Sequence, residues 1–253
     1  MAEQPLADRT AIVVGASRGF GRGVVEAYLE AGATVVAVAR NTAPLEQEVD
    51  HPRLHAVSAD GTDPATPSRL IDRWRPDVLA LVAGASPVLR PIHLQTWETF
   101  STNWHTDVRM TFNWLREGLL APLPPGSRII VMSSGAVRAG SPLSGGYAGA
   151  KSAQLFMADY AAQESSRLDL GIGVTAVLPK LSPATDLGRQ AVLAYARRAG
   201  LTEEEFLARF GASPTAAVAG SAFLHLATAP DGVAGTYLLT AEGLQPVSGA
   251  VAA

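Results

Sequence analysis

Short apolar runs recur along this chain, and between them lie longer segments in which apolar residues return every three or four positions. The runs are Ala11–Val14, Thr34–Val38, Leu54–Val57, Val78–Val82, Arg128–Met132, Val174–Leu178 and Thr236–Leu239. They do not alternate apolar with polar, so each predicts a strand buried on both faces, as in parallel sheets. The segments between predict helices over Gly21–Ala31, Thr66–Trp74, Trp97–Leu120, Tyr147–Leu170, Leu187–Ala199, Glu203–Phe210 and Ala216–Ala227. Pro122-Leu123-Pro124-Pro125-Gly126 ends the long middle helix, because proline lacks the N–H and clashes with the preceding turn. Alternation of this kind predicts an α/β fold, a doubly wound parallel sheet of about seven strands with helices on both faces. No repeat, low-complexity tract or linker interrupts it, so residues 1–253 are expected to form one domain.

Composition narrows the function classes. The chain has 253 residues, 47% of them hydrophobic, ample for one large core and short for two. A net charge of −3 offers no basic surface for nucleic acid or an anionic membrane. There is no Cys, so disulfides and thiolate metal sites are excluded, and no metal is expected from the histidine spacing either. Apolar runs stay far below the ~18 residues of a membrane-spanning helix. Met1-Ala2-Glu3-Gln4-Pro5 has neither a basic region nor an apolar core, so a cytoplasmic protein without a secretory leader is expected.

Two segments carry chemistry. In Ile12-Val13-Val14-Gly15-Ala16-Ser17-Arg18-Gly19-Phe20-Gly21 a β-branched run ends at Gly15, and a helical pattern opens behind Gly21. Free N–H groups and the helix dipole at such a junction attract phosphate, and glycine lets the backbone approach a pyrophosphate closely. Gly32-Ala33-Thr34-Val35-Val36-Ala37-Val38 closes the β-α-β unit. The second segment is Tyr147-Ala148-Gly149-Ala150-Lys151, with Ser134 thirteen positions upstream (147 − 134 = 13). On a helix the phenol and the ammonium share one face. A free phenol, with a pKa near ~10, is a poor proton donor or acceptor at neutral pH, and a fixed cation stabilises its anion. That makes tyrosine usable as a general acid or base.

With both motifs in this order, the chain resembles the short-chain dehydrogenase/reductase family, NAD(P)-dependent oxidoreductases built on a single Rossmann-type domain. The resemblance runs from about Leu6 to Gly243. It implies a catalytic set of Ser134, Tyr147 and Lys151, with Asn103 as the fourth member, holding a helix irregularity and a water linked to the lysine. Ser133 is the weaker serine candidate, and Asn113 is expected to be an ordinary surface residue. The resemblance also implies a cofactor cleft. Its parts are Gly15, Ser17, Arg18, Gly19, Phe20 and Gly21; Ala39 and Arg40 after the second strand; Asp60 and Gly61 after the third; and Ala83 and Gly84 after the fourth. Tyr147, Lys151, Pro179, Ser182 and Thr185 complete it.

Asp60 is expected to bond the adenine amino group, to start a turn before Gly61, or both. NAD-preferring members carry an acid where this chain has Ala39. With Arg40 next and Arg18 in the glycine turn, the resemblance implies NADP(H), because guanidinium forks suit a 2′-phosphate. Departures are local. The family's Asn-Asn-Ala-Gly is Leu81-Val82-Ala83-Gly84, and Val14 replaces the threonine that opens its glycine motif, so a polar pair has become apolar together. The family's Pro-Gly is Pro179-Lys180, and Ala184 stands at the usual threonine, leaving Ser182 or Thr185 to meet the nicotinamide carboxamide. Lys180 is expected in water; pointing inward, it would suit an acidic or enolic substrate.

The implied activity is hydride exchange between NADP(H) and a ketone or secondary alcohol. Residues 182–212 exceed a minimal connection and contain Leu187, Val192, Tyr195 and Phe206, which predicts a helical lid over a pocket for a medium-sized, largely apolar substrate. Trp97, Trp104, Pro142 and Leu143 are expected along its wall, with His93 and His105 at its border. No Gly-x-Ser-x-Gly turn occurs, which argues against a serine hydrolase. Fold does not fix function, so a non-redox use (an NADP-binding sensor, a cyclase or an isomerase) stays open. Relatives associate through the counterparts of Trp97–Leu120 and Tyr147–Leu170. A homo-oligomer, dimer or tetramer, is therefore implied, with Ala150, Ala153, Ala161, Ala162 and Ser165 as a small-residue contact face.

Overall fold

The computed structural model describes residues 4–229 and 235–247, so Met1, Ala2 and Glu3, read above for a leader, lie outside it. Its strands are β1 (Thr10–Val14), β2 (Thr34–Ala39), β3 (Leu54–Ser58), β4 (Val78–Leu81), β5 (Arg128–Met132), β6 (Gly173–Pro179), β7 (Gly235–Thr240) and β8 (Gly243–Pro246). They form one sheet in the order β3-β2-β1-β4-β5-β6-β7-β8. The first seven run parallel, and β8 returns antiparallel to β7. The expected strands are thus present, and one more is added. β8 is four residues with a proline at its end, pairing with β7 alone, so it lacks the apolar run of a strand buried on both faces.

The helices are α1 (Gly19–Glu30), α2 (Ala43–Glu48), α3 (Ala65–Trp74), α4 (Trp97–Phe100), α5 (Arg109–Leu120), α6 (Ala136–Ala139), α7 (Gly145–Arg167), α8 (Asp186–Ala199), α9 (Glu203–Phe210) and α10 (Ala216–Thr228). Because side chains alternate across a strand, β1 feeds two cores. Val13 packs with Val24, Tyr28 and Phe223 from α1 and α10. Ile12 and Val14 pack on the opposite face with Leu70, Met110, Trp114 and Ala158 from α3, α5 and α7. Trp114 is fully buried, and its Nε1 donates to Gly61 O at 3.0 Å, which ties the loop after β3 to this core.

Two expectations change. The helix predicted over Trp97–Leu120 is interrupted: α4 ends at Phe100, residues Trp104–Val108 form a π-helical turn, and α5 begins at Arg109. Most of the small-residue face of α7 is turned inward: Ala150, Ala161 and Ser165 are buried, with Ser165 Oγ donating to Ile172 O at 2.8 Å, while Ala153 and Ala162 are partly exposed. The three buried residues let α7 lie close on its own sheet, so they are unavailable to a second copy.

From β1 the chain builds outward through β2 and β3, then returns to place β4 on the other side of β1. At such a switch point the connections diverge and leave a crevice beyond the C-terminal strand ends. The site lies there.

Candidate active site

A cavity of about 1400 Å³ occupies this crevice, larger than the ~300–1,000 Å³ of an ordinary small-ligand site. Its floor is the turn between β1 and α1. Gly15 N–H donates to Val38 O at 2.8 Å, and Gly15 adopts φ +93°, a conformation that L side chains rarely take. A Cβ on Gly15 would also sit 2.5 Å from Ala83 N, and one on Gly21 would sit 2.0 Å from Gly15 O. Glycine therefore fits both positions and leaves the backbone bare at the mouth of α1. Arg18 precedes that helix in an extended conformation and makes no side-chain cap, so the first-turn N–H groups stay open to an anion. The residues present fit a dinucleotide pyrophosphate.

Ala39, Arg40, Asp60 and Gly61, the residues expected to meet the adenosine, all lie on the cavity wall. Asp60 Oδ1 accepts from Thr62 N and Thr62 Oγ1, each at 2.9 Å. These bonds, with a smaller contribution from Arg40, hold its carboxyl below the usual range. Asn113, expected to be an ordinary surface residue, instead donates from Nδ2 to Thr62 O at 3.0 Å and braces the same loop. Arg40 is exposed and makes no ion pair among the described residues. Arg18 is engaged, with Nη1 3.0 Å from Asp186 Oδ2 at the start of α8.

Ser134, Tyr147 and Lys151 meet on the opposite wall. Ser134 lies two residues past the end of β5, and its Oγ accepts from Ala136 N at 3.2 Å, which orients the hydroxyl. Ser133 also lines the cavity, but its hydroxyl is committed, Oγ donating to Lys151 O at 2.8 Å. Tyr147 is half-buried, its ring centroid is 5.6 Å from Lys151 Nζ, and its hydroxyl has no hydrogen-bond partner among the described residues. Lys151 is buried and donates to Met132 O at 3.3 Å.

Asn103 stands apart from this group. It is buried but does not reach the cavity wall; its Nδ2 donates to Ala85 O at 2.7 Å and to both oxygens of Asp107 at 3.3 Å. One turn further on, Asp107 lies on the wall and places Oδ2 3.2 Å from Lys151 Nζ. Asp107 also accepts from Ala85 N at 2.8 Å and from Thr106 Oγ1 at 2.9 Å. The π turn brings this carboxylate to the lysine, and wide turns of this type are frequent at functional sites. The sequence signal was available: Asp107 follows Asn103 by four positions, on the same helical face.

From Pro179 at the end of β6 the backbone carries Ser182 and Thr185 along the wall. Both expected hydroxyls are committed to the fold. Ser182 Oγ donates to Pro214 O at 2.7 Å, and Thr185 Oγ1 caps α8 by accepting from Gly188 N at 3.1 Å. Lys180 is exposed and on the cavity wall, as are Arg138, Arg198 and Arg209. Pro142 also lines it, whereas Trp97, Trp104, Leu143, His93 and His105 do not. Val192, Ala196 and Phe206 pack together, so α8 and α9 share a small core of their own beside the opening. Among the described residues, no His/Asp/Glu group has the geometry to hold a metal, and no helix is long and apolar enough to cross a membrane.

The family model for short chain dehydrogenases matches residues 9–194, spanning the glycine turn, Ser134, Tyr147 and Lys151. The chain belongs to this family. The chain is 32% identical over 186 residues to sorbitol dehydrogenase of Cereibacter sphaeroides, covering 68% of this chain and 69% of that protein. It is 33% identical over 138 residues to L-xylulose reductase of Homo sapiens, covering 53% of this chain and 57% of that enzyme. The match thus spans little more than half of the human relative's length. A 3-ketoacyl-(acyl-carrier-protein) reductase from Brucella melitensis, complexed with NADH, superposes with a TM-score of 0.78 at 18% identity, covering 93% of this chain and 98% of that one. At that identity the likeness is one of fold. The family is one of oxidoreductases that use nicotinamide cofactors.

Proposed function

We propose that this chain exchanges a hydride between NADP(H) and a ketone or secondary alcohol, as one catalytic domain with α8 and α9 serving as its lid. The observation that carries this reading is the placement of Ser134, Tyr147 and Lys151 on one wall of the cavity whose floor is the glycine turn. When bound, the nicotinamide supplies or accepts the hydride. Ser134, turned by the Ala136 N–H, has its own proton free to hydrogen-bond the substrate oxygen. Tyr147, with no protein partner for its hydroxyl among the described residues, gives that oxygen a proton in reduction and takes it back in oxidation. Lys151 lies beside the ring and stabilises the phenol's anion as the proton leaves.

The cavity changes the expected substrate. Leu89, Pro142, Leu181, Leu187 and Tyr195 give it an apolar wall, but Arg138, Lys180, Arg198 and Arg209 stand on the same wall. Of the carboxylates there, Asp107 is paired with Lys151 and Asp186 with Arg18, while Asp60 sits at the adenosine end. The substrate in this reading is a medium-sized carbonyl compound, apolar in body and anionic at one end. An NADPH-oxidation screen tests it, using ketones, keto acids and the methyl esters of those acids. A keto acid is expected to exceed its ester in kcat/KM by about tenfold, the worth of one charge-assisted contact. Tight NADPH binding with no carbonyl reduced would hand the chain to the non-redox reading.

Self-association belongs to the same reading, with a different contact from that expected. Phe112 on α5 is 53% exposed, and Phe156 and Tyr160 on α7 are 66% and 59% exposed. These large apolar side chains, rather than the small ones, are what the two helices present outward. Light scattering at micromolar protein is expected to give a dimer or tetramer, and Phe156→Glu to lower the mass toward the monomer. A monomeric parent would defeat this assignment.

A further inference from the structure

Lys151 enters the proposed mechanism as a cation beside a phenol, yet it is not an isolated one. Its ammonium is 3.2 Å from Asp107 Oδ2 but 5.6 Å from the centre of the Tyr147 ring. Both members of the pair are enclosed, with side chains 5% and 0% exposed, so water screens neither. A carboxylate so close cancels much of the cation's field, and what reaches the phenol resembles the weaker field of a dipole. Donors surround the carboxylate: Ala85 N–H, the Asn103 amide, the Thr106 hydroxyl and Lys151 itself. Such a shell suits the ionised form. Gly84 belongs to the same arrangement, since a Cβ there would come within 2.9 Å of Asp107 Oδ2 and 3.5 Å of Lys151 Nζ.

We propose that Asp107 is a positioning residue that pins Lys151 beside Tyr147 and, by compensating its charge, raises the pH at which the Tyr147 phenol gives up its proton. Asn103 then acts one step further out, holding the carboxylate between its amide and Ala85. Gln154 braces the same turn from α7, donating from Nε2 to Asp107 O at 3.3 Å and to Thr111 Oγ1 at 2.6 Å. Other titratable groups on the surrounding elements are His105 and Arg109 beside the π turn, Arg138 on α6 and Lys180 after β6. All four are exposed, and none is paired with Asp107 or Lys151. The local balance is therefore set by the two buried groups.

The proposal rests on Tyr147 as the proton donor, but its test reads the phenol without substrate or turnover. The chain has five tyrosines. Ultraviolet titration of the phenolate band, parent minus Tyr147→Phe, isolates one of them. Tyr28 does not interfere, because full burial pushes its titration far up. Asp107→Asn, measured against Asp107→Asn/Tyr147→Phe, is expected to move the Tyr147 midpoint to lower pH by about one unit or more, as for loss of one nearby like charge. If Asp107→Asn fails to fold by circular dichroism, Asp107→Ser replaces it, keeping an acceptor for Ala85 N–H without the charge. Midpoints that coincide, or one that rises on loss of the carboxylate, would overturn the proposal. A mere structural role for Asp107 would lower the melting temperature and leave the midpoint where it was. If the chain proves non-redox, the titration still decides the electrostatic claim.

Discussion

Tyr147→Phe is expected to abolish turnover while leaving NADPH binding nearly intact. The substitution removes one hydroxyl that has no protein hydrogen-bond partner among the described residues, so it orphans no buried group. The ring stays in place against Lys151. What disappears is the proton source on the cavity wall, and loss of general acid catalysis costs ~10²–10⁴ in rate. Steady-state kcat on a carbonyl from the screen, with NADPH affinity from fluorescence, separates chemistry from binding. A variant with the parent's kcat would show that the proton comes from elsewhere. Lys151→Met should behave differently, since it also leaves Asp107 buried without its counter-ion. Breaking one side of a buried pair typically costs about 3–5 kcal/mol, so both binding and stability should suffer.

Arg40→Asp is expected to weaken NADPH binding roughly tenfold to a hundredfold and to narrow or reverse any preference over NADH. Arg40 is the freer of the two arginines at the adenosine end. Arg18 is already 3.0 Å from Asp186 and must leave it to meet a phosphate, whereas Arg40 makes no ion pair among the described residues. Removing a charge-assisted contact costs about 1.5–3 kcal/mol, and the new carboxylate adds repulsion against a 2′-phosphate. The same carboxylate is able to accept from a free ribose hydroxyl, which helps NADH. Calorimetry with both nucleotides, on parent and variant, reads the outcome directly. Equal affinity of the parent for the two would remove the NADP(H) assignment.

Much of the fold was legible because its signals are local. The seven parallel strands announced themselves as apolar runs, since both their faces are covered and no polar position is needed. The turn at Gly15 and Gly21 was equally readable, because only a residue without Cβ suits that φ and those contacts. Other features failed for physical reasons that can be named. β8 has one covered side and too few residues for a period. Trp97–Leu120 reads as a continuous helix, while the π turn that interrupts it carries Asp107, whose partner Lys151 lies on another element. Ala150, Ala161 and Ser165 mark a close helix contact, but composition does not say whether the neighbour is the chain's own sheet or a second copy.

The sequence by itself determined the alternating α/β layout, the glycine turn between β1 and α1 and the spacing that puts Tyr147 and Lys151 on one helical face. Each follows from interactions between residues a few positions apart, where geometry is dictated by the backbone. Only the tertiary structure decided that Asp107, and not Asn103, faces Lys151, because that contact joins residues 44 positions apart (151 − 107 = 44) across two elements. It also decided that Ser182 and Thr185 commit their hydroxyls to the fold, at Pro214 and Gly188, and that Arg138, Lys180, Arg198 and Arg209 share one cavity wall with Leu181, Leu187 and Tyr195. Charge compensation and the partner a hydroxyl takes depend on distances through space, which the order of residues along the chain does not contain.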